Sequence, residues 1–209
     1  LAYILMSTGT RAANDTIVSS GFEQLDAWTM RCKQDRPNAL GYPGNYSSHL
    51  DGFYAWYTAN DMENMLINNA GIPGDMSQAS YDTDMKYIKE TVDVNFIGTF
   101  ALTKALIPRI QKNEGRIVNV TVPSEANPYW HPLAYVASKA AQNAMMGIMA
   151  LEFTQNNIPV EIFSVHPGPT TTDLNGNMAL PGFHDIDTVG QKMTELINDG
   201  NNHNGEFIE

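Results

Sequence analysis

Short apolar runs alternate with longer stretches of helical period along this chain, the pattern of a parallel sheet covered by helices. AYILMS at 2–7 reads as a buried strand, AANDTIVSSGFEQL at 12–25 as a helix and DAWTMRC at 26–32 as a second strand. RPNALGYPGN at 36–45 is dense in proline and glycine, with room for a short strand at 39–42. Within 47–61, Leu50, Phe53, Tyr54 and Tyr57 recur at i, i+3, i+4 and i+7, one helix face, with Ser47 or Ser48 as its cap. NMLINNAG at 64–71 is a strand running into a turn of small residues. A long helix is expected over 84–113, a β-branched strand over 115–122 and an apolar helix over 133–155. A strand over 159–168 ends in a Pro-Gly turn, an amphipathic helix covers 186–199, and 205–209 is a closing strand. One connection is too short. About half a dozen residues follow Cys32 before the third strand, where a parallel crossover needs about ten to twelve. Either a helix is missing there or that strand is irregular.

These elements predict one α/β domain, a doubly wound parallel sheet of Rossmann-like type with helices on both faces. The 209 residues suit a single domain, and a 43% hydrophobic content supplies its core. The net charge of −11 argues against a nucleic-acid binder and against docking on an anionic membrane. No apolar run has the length of a membrane span, and LAYILM at the start has no basic segment before it, so it does not read as a signal peptide. A lone cysteine, Cys32, can form no internal disulfide, which points to a reducing, cytoplasmic setting. The five histidines show no metal-ligand spacing, so no metal is expected.

The candidate chemistry starts at LAYVASKAAQNAMM, residues 133–146. Tyr135 and Lys139 are four residues apart, so they share one helix face. A phenol titrates near pH ~10, and a nearby ammonium favours the phenolate. Such a pair can give a proton to a ketone, or take one from an alcohol, as hydride moves. Taken alone, the same spacing also fits a core tyrosine beside a snorkelling lysine.

The order of the other pieces adds to it. NNAG at 68–71 ends a strand, VDVNFIGTF at 92–100 places Asn95 within a helix, GRIVNV precedes the Tyr135 helix, and VHPGPTTTD at 165–173 follows the next strand. In this succession the chain resembles the short-chain dehydrogenase/reductase family. HPGPTTTDLNG and HNGEF are similar to its carbonyl-reductase-like and C-factor-like branch. The likeness is good from about Ser47 onward and weak over 1–60, which reads as a diverged dinucleotide-binding half ahead of a well-matched catalytic half at 61–209.

The resemblance implies a role for each matching residue. Tyr135 would be the general acid/base, Lys139 would bind the nicotinamide ribose, and Asn95 would hold a water in the proton relay to Lys139. Asn69, Ala70 and Gly71 would lie along the cofactor, where small residues let the backbone come close. Pro167, Gly168, Thr170 and Thr172 would hold its nicotinamide end. The family's glycine-rich turn after the first strand is matched here by STGTRAAND at 7–15, which keeps Gly9 but has Ala12, Ala13 and Asn14 in a stretch where glycine is expected. The family's catalytic serine falls on Val122, which cannot donate a hydrogen bond; Ser124 could substitute if the loop is shifted, and Thr121 is the other candidate. Tyr42 stands where an acidic residue usually meets adenine. An aromatic there could stack on the base, or fill a site no longer used.

MRCKQDR at 30–36 carries Arg31 and Lys33 where an acidic residue would favour NAD, and Arg11 could add to them. Cations suit a 2′-phosphate, so NADP is expected, with NAD as the alternative. Tyr129, Trp130 and His131 would line a substrate pocket for a small carbonyl compound or its alcohol, with 178–187 as a short lid. The Tyr135 helix carries Met145, Met146 and Met149, and its apolar residues cover more than one face. A homodimer or homotetramer is expected, and core packing is the other reading of that methionine stripe. The function so implied is NADP(H)-dependent carbonyl reduction or alcohol oxidation. The competing reading is a catalytically silent relative that binds a dinucleotide or a protein partner.

Overall fold

The computed structural model describes residues 65–75, 77–126 and 132–209. The strands expected at 2–7, 26–32 and 39–42 and the helices at 12–25 and 47–61 lie outside the described residues. So do Gly9, Arg11, Arg31, Lys33 and Tyr42, and the pocket residues Tyr129, Trp130 and His131.

Among the described residues four parallel strands form one sheet in the order β1 Met65–Asn68, β2 Arg116–Val120, β3 Glu161–Val165 and β4 Phe207–Ile208. Asn68 pairs with Asn119, and Asn119 with Ser164, so the strands end nearly level and deliver their following loops to one edge. That carboxyl edge is where open α/β sheets bind ligands. β1 is buried along its whole length, as a strand covered on both faces must be.

The crossover from β1 to β2 runs through α1 (Met85–Val92), a wide turn at Asp93–Gly98 and α2 (Thr99–Lys112). α3 (Leu133–Gln155) joins β2 to β3, and α4 (Ile186–Ile197) joins β3 to β4. Side chains alternate across each strand. Leu66, Ile117 and Ile162 face a core with Leu102, Leu106 and Ile110 of α2 and Met145, Met149 and Phe153 of α3. Met65, Ile67, Val118, Phe163 and Val165 face the other way, toward Ile197 of α4. Helices therefore cover both faces, as the sequence pattern predicts.

Caps explain two helix starts. Asp84 accepts from Lys86 N at 2.9 Å at α1, and Asp185 accepts from Thr188 N at 2.7 Å at α4. Each strand is shorter than its apolar run, because the ladder ends where the chain turns away at Asn69, Thr121 and His166. The helix expected over 84–113 spans these residues, but its middle is a six-residue turn of wider pitch. The methionine stripe of α3 is core: Met145, Met146 and Met149 are buried. Ile148 and Leu151 remain exposed on that helix, and Ile97 and Phe100 on the wide turn and α2.

Candidate active site

Tyr135, Ser138, Lys139 and Gln142 sit at i, i+3, i+4 and i+7 on α3, all buried on the face turned to the sheet's carboxyl edge. Lys139 Nζ lies 5.8 Å from the centroid of the Tyr135 ring. It donates to Val120 O at 2.8 Å and to Gln142 Oε1 at 3.2 Å. The expectation that the ammonium lowers the phenol's titration is not met. Burial pushes Tyr135 up to about 12 and pulls Lys139 down to about 8. Two of the three lysine protons are committed to protein oxygens, and loss of water disfavours the charged form of each group more than their proximity favours it.

Asn95 lies fully buried in the wide turn. Its Oδ1 accepts from Ile72 N at 2.8 Å, and its Nδ2 donates to Ile72 O at 3.0 Å and to Ser138 Oγ at 2.9 Å. Ser138 Oγ in turn donates to Tyr135 O at 2.7 Å. One side chain thus fastens the loop after β1 to the helix that carries Tyr135. The wider pitch also exposes the Asn95 carbonyl, which accepts from Thr99 Oγ1 at 2.8 Å and from Gln142 Nε2.

Asn69, Ala70 and Gly71 are half-buried on this loop. A Cβ built on Gly71 would stand 3.6 Å from Asn95 Oδ1 and 3.6 Å from Lys139 Nζ. Glycine there leaves backbone beside the ammonium, and the third N–H of Lys139 has no partner among the described residues. That combination leaves room for a ligand hydroxyl to meet the ammonium beside the backbone of residues 69–71.

After β2, Thr121 is buried, its N–H donates to Val165 O at 2.9 Å, and its hydroxyl has no partner among the described residues. Asn143 of α3 holds Val122 O at 2.9 Å. Ser124 is exposed on a bend and makes no hydrogen bond among the described residues. After β3, Gly168 has φ +74°, and a Cβ there would come within 3.2 Å of His184 Cδ2. The loop closes on itself. Thr170 Oγ1 donates to Gly168 O at 3.1 Å, His184 N to Pro169 O at 2.8 Å, and Thr171 N to His184 O at 3.0 Å. Asn175 accepts from Thr172 N at 3.1 Å and donates to Thr170 O at 2.8 Å. The structure thus brings together Tyr135, Lys139, Asn95 and Gly71. It places Pro167, Gly168, Thr170 and Thr172 in a self-tied loop at the same sheet edge. No group of three or more acidic, histidine or cysteine side chains is placed to hold a metal ion among the described residues.

Sequence reasoning missed Ser138, Gln142, Asn143 and His184. For the first two a signal was present, since they are polar positions on the Tyr135–Lys139 face of an otherwise apolar helix.

Comparison with known proteins bears on the family and the fold. The sequence profile of the family described as short chain dehydrogenase matches residues 12–180. Human 17-beta-hydroxysteroid dehydrogenase type 2 is 34% identical over 116 residues, covering 53% of this chain and 28% of that protein. The L-fucose dehydrogenase of Bos taurus is 28% identical over 130 residues, covering 56% of this chain and 48% of that protein. The chain therefore spans less than half the length of either curated relative. Among solved structures, the NADPH-bound carbonyl reductase from chicken fatty liver aligns with a TM-score of 0.69 at 19% identity, over 88% of this chain and 78% of that one. An NAD-bound short chain dehydrogenase from Mycobacterium paratuberculosis aligns with a TM-score of 0.64 at 19% identity, over 76% and 66%. At these identities the structural likeness establishes the fold.

Proposed function

Because the chain belongs to the short-chain dehydrogenase family, we propose that it is an NADP(H)-dependent oxidoreductase that interconverts a small carbonyl compound and its alcohol. The observation that carries this reading is the buried Tyr135–Lys139 pair beside Gly71. Residues 69–71 would lie along the dinucleotide, Lys139 would hold its ribose through the remaining N–H, and Pro167, Gly168, Thr170 and Thr172 would meet its nicotinamide end. When bound, the dinucleotide supplies or accepts the hydride at the carbonyl carbon. Tyr135 gives its phenolic proton to the carbonyl oxygen in reduction and takes one from the alcohol in oxidation. A phenol held near 12 keeps its proton at neutral pH, which favours reduction. Lys139, over the ring, stabilises the phenolate left behind.

The basic Arg31 and Lys33 favour NADP, and the chicken carbonyl reductase carries NADPH. NAD is the alternative, since the mycobacterial neighbour carries it. The exposed Ile97, Phe100, Ile148 and Leu151 support assembly as a homodimer or homotetramer. The lone cysteine supports a cytoplasmic setting, and no helix among the described residues is long and apolar enough to cross a membrane.

A second reading has its own support. Val122 offers no donor and Ser124 is exposed, so the group that would polarise a carbonyl is weakly provided, a loss of ~10²–10³ in turnover in comparable sites. On that reading the protein binds a dinucleotide or a protein partner without catalysis. Titration with NADPH and NADH, followed by a carbonyl panel, separates the two. Tight NADPH binding with Tyr135-dependent turnover supports the reductase, and binding without turnover supports the silent relative. Absence of binding to either dinucleotide rejects both dinucleotide readings.

A further inference from the structure

We infer that Gln142 is a positioning residue for Lys139, an amide standing between the lysine ammonium and the Asn95 carbonyl where the family resemblance implies a water. The consequence for turnover rests on the reductase reading above; the coupling of the two side chains does not.

Gln142 is fully buried in the middle of α3. Its Nε2 donates to the Asn95 carbonyl and, at 2.9 Å, to Thr99 Oγ1. Its Oε1 accepts from Lys139 Nζ at 3.2 Å. The amide orientation follows from its partners. An ammonium can only donate and a backbone carbonyl can only accept, so Oε1 must face Lys139 and Nε2 must face Asn95. Thr99 Oγ1 completes the set by accepting from Gln142 and donating to Asn95 O at 2.8 Å. Both amide hydrogens are used, and the Asn95 carbonyl, with two lone pairs, already has two donors.

Two consequences follow. The ammonium is held between Val120 O and Gln142 Oε1, with its third N–H left on the Gly71 side. A water on the Asn95 carbonyl is also displaced as a relay. Water passes a proton by giving one and taking another at the same oxygen, whereas an amide nitrogen has no lone pair free to take one. Lys139 therefore recovers its proton from the Gly71 side and not through the wide turn.

The decisive experiment is an NMR titration of the Lys139 side chain in the protein without dinucleotide, for wild type, Gln142→Met and Gln142→Glu. Methionine removes the acceptor, and Lys139 should titrate at lower pH. Glutamate supplies a charged acceptor, and Lys139 should titrate at higher pH. Thr99→Val, which leaves Gln142 its contacts with Asn95 and Lys139, should lower stability without moving Lys139. If Gln142→Met does not fold, Gln142→Asn, one methylene shorter, makes the same test. A Lys139 titration that both Gln142 variants leave within about half a pH unit of wild type, or move in the same direction, overturns the inference and makes Gln142 a packing residue. In turnover, Gln142→Met should lower kcat about ten- to a hundredfold with little change in KM for the ketone, and shift the basic limb of the pH profile with Lys139. If the wild type neither binds NADPH nor reduces ketones, the reductase reading falls while the titration still decides the coupling. If the wild type is active and the titration is unmoved, only the coupling falls.

Discussion

Replacing Lys139 with methionine should stabilise the fold at neutral pH, and that advantage should shrink as the pH rises. Lys139 is 2% exposed, and burial draws its ammonium from 10.5 down to about 8. Between those two values the unfolded chain binds a proton that the folded chain has released, so wild-type stability rises with pH across the window. The displacement is about 2.5 pH units at ~1.36 kcal/mol each, a penalty of about 3 kcal/mol at pH 7 that is nearly gone at 10.5. Methionine removes the charge at similar length, but it strands Val120 O and Gln142 Oε1 without their donor, at about 1 kcal/mol each. The net gain at pH 7 is then about 1 kcal/mol. The pH slope of the difference is independent of those lost bonds. Urea unfolding of both proteins from pH 7 to pH 10 isolates it, since every other titration is shared and Tyr135 lies higher, at about 12. The difference in unfolding free energy should move by about 2–3 kcal/mol toward the wild type over that range. A difference that stays constant with pH would refute the desolvated ammonium. Turnover should vanish in the same variant, a gain in stability at the expense of function.

Other substitutions probe separate parts of the site. Tyr135→Phe should cut NADPH-dependent ketone reduction by about 10²–10⁴ with the far-UV circular dichroism unchanged; wild-type turnover in that variant would remove Tyr135 as the acid. Asn95→Ala leaves Ile72 N, Ile72 O and Ser138 without a shared partner and should cost about 2–4 kcal/mol in urea unfolding. Gly168→Ala meets both a left-handed φ of +74° and a 3.2 Å approach to His184, so it should lose about 1–2 kcal/mol. An alanine as stable as glycine there would contradict the observed loop. His203 bonds Glu206 at 2.6 Å and Asp199 at 3.0 Å, and these carboxylates, Glu206 foremost, raise its titration above 6.5. Its stabilisation should be complete below pH 6.5 and fade as pH rises through the raised value, so His203→Gln should lower Tm most at acid pH. The imidazole also lies with its centroid 5.4 Å from that of Phe163, and a Tm deficit independent of pH would show that it acts by this packing alone.

The parts of this fold legible in the sequence are those set by local pattern. The helix expected over 133–155 is matched at both ends by Leu133–Gln155, because Pro132 marks its start and apolar residues at helical spacing continue to Phe153. The four C-terminal strands were legible as apolar runs, and only their ends differ, since pattern cannot show where a ladder stops. The wide turn at Asp93–Gly98 was not legible. It is held by bonds to Asn95 from Ile72, 23 residues back, and from Gln142, 47 residues ahead, and neither leaves a trace in local periodicity. Asn95 could be found by resemblance, whereas its engagement with Ile72 and Ser138 required the structure. The titration of Tyr135 was misjudged for the same reason: spacing brings Lys139 close but does not report how much water the fold excludes.

The buried polar residues show what the fold sacrifices around this site. Asn68 and Asn119 on the strands, Asn95, Thr99 and Thr103 on the crossover from β1 to β2, and Ser138, Lys139 and Gln142 on α3 are all buried. They are tied in sequence: Asn68 donates to Thr103 at 2.9 Å and to Asn119 at 2.8 Å, and Asn95 reaches Ser138 and Gln142. A core optimised for stability would fill these positions with Leu, Ile or Val, each worth about 1.5–3 kcal/mol on burial. The break from apolar periodicity falls where the carboxyl edge of the sheet meets α2 and α3, and the Leu106–Ile110–Phe153 layer is apolar throughout. A polar cluster confined to the carboxyl end of the sheet, tied by these bonds although Asn119 Nδ2 has no partner among the described residues, holds side-chain positions at the expense of stability. Lys139→Met and Gln142→Met measure that exchange from its two sides, one by removing the charge and the other by removing what holds it.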